Sequence, residues 1–414
     1  MIDLHEDLLS SISARRIEMT EFLQNLIRIP SPNPPGDTQS AMKLIEGFLS
    51  ERGIPFEIVA PDPRMPNLIA QFDGGQPGPR LVMNGHLDVF PEGDASKWNY
   101  DPWGAIEKDG CIFGRGACDM KSGTTALLFA FAELYERRSN LHGSLVLTVV
   151  SDEETGSNLG ARYLLENRKD VHGDCLLNSE PTSPFALRFG EKGPLWLRCK
   201  VNTPGAHGAY VHMSKNAIQI AATVISGLYE LQNFKSPEGS SLVLALQNNA
   251  RAVDRAYGTG ASAVISGTTV NVGTIQAGVS VNMLPSECTF EVDIRIPPGV
   301  SHSTVIDHID SVIAPYPEVT YEITNQHDAN ASEPDHPMVQ SLIRNAVRVS
   351  GVEPAPIIGL GATDARLWRH AGIPAFIYGP SPTGMGKADE FVRIDEFVHI
   401  AKTHALAALD YLSG

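Results

Sequence analysis

The sequence predicts an α/β protein in which a doubly wound, mixed β-sheet is interrupted by a smaller ferredoxin-like insert. Three observations predict this fold class. Short, continuously apolar runs of the kind buried in parallel sheets alternate with helical patterns in the first half of the chain. From about Glu191 the pattern changes to strands that alternate apolar and polar residues. Helix and strand patterns of the first kind return from Met338 onward.

Four buried strands and several helices are predicted for the larger domain. Residues 123–138 have an apolar body and a basic end, with Ser122 placed as the N-cap, and residues 159–169 form a second helical pattern. Residues 1–30 carry apolar side chains at helical spacing, which predicts a surface helix. The predicted strands are residues 80–84, 144–150, 174–178 and 374–378.

The insert is expected to follow a β-α-β-β-α-β order, which is the order of a ferredoxin-like fold. A loop-like stretch at residues 325–336 then leads back to the larger domain. The predicted strands of the insert are residues 194–201, 268–275, 288–296 and 318–323, and its predicted helices are residues 216–231 and 302–313.

Composition and length exclude several classes of protein. The chain has 414 residues, which is enough for two compact domains. Its formal net charge is -16 and its 32 Lys and Arg residues are scattered, which argues against nucleic-acid binding and against binding to an anionic membrane. No apolar run approaches the roughly 20 residues that span a bilayer, and residues 1–30 lack the pattern of a signal peptide. We therefore expect a cytoplasmic protein.

The cysteines argue against two further classes. There are five, an odd number, and no two of them form a CxxC pair. This pattern disfavours both a disulfide framework and a cysteine zinc cage. We expect all five to be reduced.

Four short polar islands stand at the ends of predicted elements, and together they indicate a metal-dependent hydrolase. The carboxyl ends of parallel strands meet at one edge of a sheet, where ligands bind. Histidine and carboxylate side chains delivered to such an edge are typical metal ligands. The islands are His86-Leu87-Asp88, residues 116–121 with Asp119, residues 151–156 with Glu153 and Glu154, and residues 178–182 with Glu180.

Two of these islands suggest specific roles. His86 and Asp88 share a face in extended chain, so Asp88 could accept the second imidazole N–H and leave His86 free to bind a metal. A single pair of this kind also fits an ordinary strand end. Glu153 and Glu154 are neighbours whose side chains diverge, so one is better suited to act as a general base than as a second ligand. The alternative for such a pair is solvated surface charge.

Two familiar types of site are not indicated. The Gly114-Arg115-Gly116 segment is followed by Asp119 where a dinucleotide fingerprint has glycine, and Gly386-Lys387 lacks the remainder of a P-loop. The sequence also contains no GxSxG nucleophile elbow.

The segments HLDV, GRGACDMKSG, SDEETGS and NSEPT resemble, in order and spacing, the four successive motifs of the M20 family of metallopeptidases and amidohydrolases. The resemblance implies a zinc-aminopeptidase-like catalytic domain, residues 1–190 and 326–414, interrupted by a dimerisation lid, residues 191–325. It also implies that His86 and Glu180 bind one metal, that Asp119 bridges two metals, and that Glu154 binds the second. Glu153 is then the general base, and Asp88 contacts and orients the ligand His86 without binding the metal itself.

The insert carries further matches to the family. The PGAHG segment resembles the lid motif whose histidine, here His207, stabilises the oxyanion at the partner subunit's site. Asn282, Arg295, Thr363 and Arg366 resemble substrate-contacting positions. Either arginine could clamp a substrate carboxylate. Each could instead hold a buried aspartate, Asp293 or Asp364.

One departure from the family pattern changes the expected metal content. Family members place a histidine shortly before a terminal acidic motif as the last ligand of the second metal, but residues 378–390 contain no histidine. The second site then retains Asp119 and Glu154 alone, which predicts weak binding. We expect one tight site at His86, Asp119 and Glu180, and a second site that is weak or absent. Zn or Mn fits these ligands, and Co is possible.

The resemblance implies hydrolysis of a C–N bond in a small carboxylate-bearing substrate, such as the amide of an N-acyl amino acid or a dipeptide. An alternative is an aminohydrolase that releases ammonia from an aryl amine such as a nitroanthranilate. A non-catalytic binding protein is a third reading, but retention of Glu153 argues against it. The expected partners are a small-molecule substrate and a second copy of the chain, in a homodimer or higher homo-oligomer formed through the lid.

Overall fold

The computed structural model describes residues 3–413, which contain both helices and strands. The helices are α1 Leu4–Ala14, α2 Arg16–Ile27, α3 Gln39–Glu51, α4 Ser122–Glu136, α5 Ala161–Asn167, α6 Ala217–Leu228, α7 Ser241–Asn248, α8 Ala250–Tyr257, α9 Ala261–Val264, α10 His302–Ile313, α11 Pro337–Ser350, α12 Ala365–His370 and α13 Ile394–Tyr411. The strands are β1 Phe56–Val59, β2 Asn67–Asp73, β3 Gln76–His86, β4 Ile106–Lys108, β5 Cys111–Phe113, β6 His142–Val150, β7 Cys175–Asn178, β8 Ala186–Glu191, β9 Gly193–Asn202, β10 Ala206–His207, β11 Thr269–Ala277, β12 Met283–Leu284, β13 Glu287–Ile296, β14 Val319–Gln326, β15 Asn330–Ala331, β16 Ala355–Gly359, β17 Ala375–Ile377 and β18 Phe391–Arg393.

The chain divides into two compact units. The first unit comprises the residues up to Phe189, Ser332–Ile357 and the residues from Thr363 onward. The second unit comprises Gly190–Ala331 and Ile358–Ala362. The chain therefore leaves the first unit for one long segment, returns to it, and leaves it again for the short segment Ile358–Ala362.

A mixed β-sheet forms the centre of the first unit, in the strand order β1-β2-β6-β3-β7-β17-β8. β3 runs parallel to both β6 and β7, and β17 runs parallel to β7. Their buried, continuously apolar residues explain why the four predicted strands were recognisable from the sequence. The predicted α/β class with a mixed sheet is confirmed.

Helix α4 is buried over nearly its whole circumference, from Ser122 to Leu134. A helix that is apolar on all sides belongs inside a domain, and α4 contacts both β3 and α13. This buried helix begins directly after the turn that carries Asp119, so the turn is attached to one of the least mobile parts of the unit.

The second unit has the predicted ferredoxin-like arrangement. Its four-stranded sheet has the order β11-β13-β9-β14, and every neighbouring pair is antiparallel. Helices α6 and α10 lie between β9 and β11 and between β13 and β14 in the chain, which gives the β-α-β-β-α-β order. Alternating burial along β13 places Cys288, Phe290 and Val292 in the core beneath these helices.

Three details of the sequence prediction were wrong or incomplete. Ser122 is not an N-cap: it is the first residue of α4, and its hydroxyl has no hydrogen-bond partner among the described residues. The single helix predicted for residues 1–30 is two helices, α1 and α2. The short helices α7 to α9 were not predicted.

Two further expectations concern the cysteines and membrane-spanning helices. All five cysteines lie in the described part of the chain, are buried and form no disulfide. Among the described residues, no helix has the length and apolar character required to cross a membrane.

Candidate active site

The candidate ligands are brought together by the ends of three adjacent strands. His86 is the last residue of β3, which lies between β6 and β7 in the sheet. Glu180 follows β7 by two residues, and Glu153 and Glu154 follow β6. Because these three strands are parallel, their carboxyl ends face the same edge of the sheet. The polar islands therefore converge at one place.

Three side chains form a group with the spacing of metal ligands. The Nε2 atom of His86 lies 3.5 Å from Oδ1 of Asp119 and 3.2 Å from Oε1 of Glu180. Ligand atoms placed about 2.1 Å from one ion in a tetrahedral arrangement stand roughly 3.4 Å apart. His86 Nε2 and Glu180 Oε1 are buried and have no hydrogen-bond partner within residues 3–413. The donor set and its unpartnered atoms therefore fit a divalent metal ion.

The remaining imidazole nitrogen fixes the protonation state of His86. Its Nδ1 atom lies 2.8 Å from the backbone carbonyl oxygen of Asp88. Because a carbonyl can only accept, Nδ1 carries the proton and Nε2 presents its lone pair to the ligand group. This contact was predicted for the Asp88 carboxylate, but that carboxylate lies farther away, at 3.5 Å from Nδ1.

The Asp88 carboxylate instead holds the turn that carries the two glutamates. Its Oδ1 accepts the backbone N–H of Glu153 at 3.2 Å, and its Oδ2 accepts that of Glu154 at 3.1 Å. Oδ2 also accepts from the side-chain amide of Asn33 at 2.8 Å. Asp88 thus supports the histidine through its backbone and the glutamates through its side chain.

Negative charge accumulates around the ligand group. Burial raises the pKa of Glu180 to about 7, and the charge of Asp119 adds to this effect. Burial and neighbouring carboxylates raise the pKa of Glu153 and of Glu154 well above the usual range. Burial alone would lower the pKa of His86, but the charge of Glu180 and the contacts with Asp119 and Asp88 together outweigh burial and raise that pKa. A divalent cation is the charge that such a cluster lacks.

Asp119 is held in place by Glu390, which was not among the predicted site residues. The Oε1 atom of Glu390 accepts the backbone N–H groups of Cys118 and Asp119 at 3.0 and 3.2 Å. Its Oε2 atom pairs with Arg115 Nη1 at 2.5 Å, and both charged side chains are almost fully buried. Glu390 therefore anchors the turn that presents Asp119, although the two residues are far apart in sequence.

Glu154 does not join the three-ligand group. In the part of the chain that the structure describes, His86, Asp119 and Glu180 form the one set of three possible ligands whose atoms lie within 4.8 Å of one another. Gly386 lies in the segment that lacks a histidine and has a positive φ of 71°. A Cβ atom at this position would have only the ring of Phe90 within 4 Å, at 3.9 Å.

The guanidinium group of Arg366 lies beside the proposed general base. Its Nη1 atom is 3.7 Å from Oε1 of Glu153, and its Nη2 atom donates to the hydroxyl of Ser157 at 3.4 Å. That hydroxyl also bonds to the carboxylate of Asp364. Arg366 is almost completely buried, as is Thr363, whose hydroxyl accepts the N–H of Ala365 at 3.3 Å.

Three predicted site residues belong to the second unit. Exposed His207 accepts the backbone N–H of Ala209 at its Nδ1 atom, so its Nε2 atom carries the proton. Asn282 is exposed, and its side chain accepts from Ser280 at 2.6 Å. Arg295 donates to both oxygens of Asp293, at 2.8 and 3.1 Å. Of the two roles considered for Arg295, this contact matches the aspartate-holding one.

The chain is similar in sequence to a known protein family and to several known proteins. The model of peptidase family M20/M25/M40 matches residues 82–410. A succinyl-diaminopimelate desuccinylase of Gluconacetobacter diazotrophicus is 31% identical over 407 residues, which cover 94% of this chain and 96% of the relative. A probable succinyl-diaminopimelate desuccinylase of Staphylococcus epidermidis is 29% identical over 388 residues, or 91% and 93% of the two chains.

The fold is likewise similar to that of solved structures. A metallo-carboxypeptidase of Sulfolobus solfataricus, described as an M20 family member, superposes with a TM-score of 0.76 and 19% sequence identity. The superposition covers 95% of this chain and 99% of the carboxypeptidase. The similarity in fold therefore extends over residues of both units.

Proposed function

Because the chain belongs to peptidase family M20/M25/M40, a family of hydrolases that act on C–N bonds, we propose that it cleaves the amide bond of a small N-acyl amino acid or dipeptide. The observation that carries the proposal is the buried group of His86 Nε2, Asp119 Oδ1 and Glu180 Oε1 at the sheet edge. Glu153, a carboxylate with a raised pKa, lies in the same charge cluster.

His86, Asp119 and Glu180 would hold the tightly bound ion. Zn or Mn suits these ligands, and Co is possible. When bound, such an ion supplies a positive charge that polarises a carbonyl oxygen and makes water more acidic. Glu154 would contribute to a second, weak site, because residues 378–390 offer no histidine.

The remaining chemistry is assigned to side chains of this protein. Glu153 takes a proton from the attacking water and transfers it to the amide nitrogen as that nitrogen leaves. A raised pKa makes Glu153 a stronger base than an ordinary carboxylate near neutral pH. The protonated Nε2 atom of His207 suits the donation of a hydrogen bond to the substrate's carbonyl oxygen in the site of the partner subunit, as negative charge develops on that oxygen.

Substrate recognition and assembly are assigned from the family resemblance. Asn282, Thr363 and Arg366 are proposed to contact the substrate, while Arg295 donates to the carboxylate of Asp293. Residues 1–190 and 326–414 are assigned the catalytic role. Residues 191–325 are assigned the role of a lid through which two copies form a homodimer.

A release assay tests the proposal. The protein, supplied with Zn, Mn or Co, is given a panel of N-acyl amino acids, dipeptides and amino-aromatic acids, and both primary amine and ammonia are measured. Release of an amino acid from N-acyl substrates is expected. Release of ammonia from an aryl amine would instead support the aminohydrolase alternative, which the absence of a histidine in residues 378–390 favours. Turnover of no member of the panel would overturn the assignment.

A further inference from the structure

Asn33 lies in the segment between α2 and α3, and this segment is attached to the chain that follows His86. The backbone N–H of Asn33 donates to Val89 O at 2.9 Å, and the N–H of Val89 donates to Ser31 O at 3.0 Å. The hydroxyl of Ser31 donates to Leu87 O at 2.7 Å. Asn33 is therefore fixed beside Asp88 by contacts that do not involve its own side chain.

The side-chain amide of Asn33 contacts two parts of the candidate site at once. Its Nδ2 atom donates to Oδ2 of Asp88 at 2.8 Å and to the hydroxyl of Thr155 at 3.0 Å. It also lies 3.3 Å from Oδ1 of Asp152. The side chain is 5% exposed, so water does not replace these contacts. One amide nitrogen thus links Asp88 to both ends of the turn that contains Glu153 and Glu154.

This turn has an unfavourable backbone conformation at one residue and is held by several hydrogen bonds. Asp152 has a φ of 72°, in the left-handed region that is unfavourable for a residue other than glycine. The hydroxyl of Thr155 donates to the Asp152 carboxylate and closes the turn on itself. Asp88 holds the turn only through the N–H groups of Glu153 and Glu154. Asn33 adds the link between the Asp88 carboxylate and the side chains that close the turn.

We propose that Asn33 is a positioning residue, which sets the direction of Glu153 and Glu154 by fixing their turn against Asp88. This inference rests on the proposed function in one respect, since it assigns Glu153 to the chemistry. An amide is required at position 33 because two hydrogens must be donated to groups that include two carboxylates. An aspartate of the same shape would donate nothing and would place a third carboxylate beside Asp88 and Asp152.

The chain offers a matched control in Asn345. Its Nδ2 atom donates to Ser341 O at 3.0 Å, to the Ser341 hydroxyl at 3.3 Å and to Oδ2 of Asp410 at 2.8 Å. It is 2% exposed and lies in α11. Asn345 is therefore buried like Asn33 and also donates to a hydroxyl and a carboxylate, but it contacts no proposed catalytic residue or ligand.

The experiment compares Asn33→Ala, Asn33→Asp and Asn345→Ala in kcat, KM and melting temperature. Asn33→Ala should reduce kcat by about 10- to 100-fold with KM changed less than about threefold. Residues that hydrogen-bond to the side chains of a metal site typically contribute that factor to activity. Asn345→Ala should lower the melting temperature about as much as Asn33→Ala does, and it should leave kcat unchanged. Asn33→Asp should reduce kcat at least as much as Asn33→Ala. A kcat for Asn33→Ala within about twofold of that for Asn345→Ala would overturn the inference, and so would an active Asn33→Asp.

Hydrogen exchange separates this inference from the proposed function. In the same variants, backbone amide exchange is measured by mass spectrometry on peptides that cover residues 151–157. Asn33→Ala should accelerate exchange at Glu153 and Glu154 by about tenfold or more, and Asn345→Ala should not. If the wild-type protein turns over no substrate, the proposed function fails while this result still decides the role of Asn33. Unchanged exchange in Asn33→Ala would overturn the positioning role even in an active enzyme.

Discussion

Replacing Glu390 by glutamine tests how the turn that carries Asp119 is held. The Glu390 carboxylate pairs with Arg115 at 2.5 Å and accepts the backbone N–H groups of Cys118 and Asp119. Arg115 and Glu390 expose only 2% and 1% of their side chains, so neither charge is solvated. In Glu390→Gln the side chain keeps its shape, but the buried guanidinium loses its counter-charge.

The magnitude follows from this burial. Removing one partner of a buried ion pair costs about 3–5 kcal/mol, because the remaining charge stays in an apolar environment. We expect Glu390→Gln to lower the free energy of unfolding of the first unit by that amount. The double variant Arg115→Met with Glu390→Gln removes both charges and should lose less than about 2 kcal/mol. Arg393→Met removes one partner of a pair with Asp395 that is about half exposed, so its cost should be below ~1 kcal/mol.

Urea unfolding of the metal-free protein measures these differences. Tryptophan fluorescence is a suitable signal, because the Trp98 ring centre lies 5.2 Å from the guanidinium carbon of Arg115. Cobalt affinity, measured in parallel, should fall in Glu390→Gln as the Asp119 turn loosens. If Glu390→Gln were as stable as Arg393→Met, the reasoning about this buried pair would be refuted.

Three further predictions concern pH, an arginine and metal content. Burial lowers the pKa of His399 and of His404 to about 4, whereas an unfolded histidine titrates near 6.5. The unfolded chain therefore binds protons first as the pH falls, and about 2 kcal/mol of stability per histidine should be lost between pH 7 and pH 5. His404→Gln should therefore lose less melting temperature than the wild type between pH 7 and pH 5, and an equal loss in the two proteins would contradict this role of His404. Arg295→Met should change KM for carboxylate substrates by less than about threefold, because Asp293 holds the guanidinium, and a tenfold rise would assign Arg295 to the substrate. Metal analysis after dialysis should find one retained ion per chain, and two tightly retained ions would contradict the weak second site.

Much of the fold could be predicted because burial leaves a periodic signal in the sequence. Strands buried on both faces are continuously apolar, and β6 and β7 were located to within two residues for that reason. Helix α10 was located at its observed ends, and the structure shows that the Ser301 hydroxyl caps it by accepting the N–H of Thr304. The order of elements in the insert followed from these local signals.

The wrong assignments arose where backbone geometry overrides local pattern. Ser122 has the residue type of an N-cap, but the irregular turn Ala117–Lys121 leads directly into α4 and leaves Ser122 inside the helix. The contact between His86 and Asp88 was expected through the side chain. The chain after β3 instead brings the Asp88 carbonyl to the imidazole and turns the carboxylate toward Glu153 and Glu154.

Asn33 and Glu390 were missed for a different reason. Both lie in loops rich in Pro, Gly or polar residues, and such segments give no periodic signal. Asn33 is 55 residues from Asp88, and Glu390 is 271 residues from Asp119. Sequence spacing cannot indicate which distant loop packs behind a ligand. The one available signal was the position of Glu390 at the end of the segment that lacks a histidine.

The central claim is that Glu153 performs the chemistry beside a metal held by His86, Asp119 and Glu180. Glu153→Gln is the most direct test, with Glu166→Gln, an exposed change on α5, as the matched control. We expect Glu153→Gln to retain one metal ion per chain and to lose turnover by about 10²–10⁴-fold. Glu166→Gln should retain both the metal ion and the turnover of the wild type. A Glu153→Gln protein that binds metal and still turns over substrate within about tenfold of wild type would contradict the account.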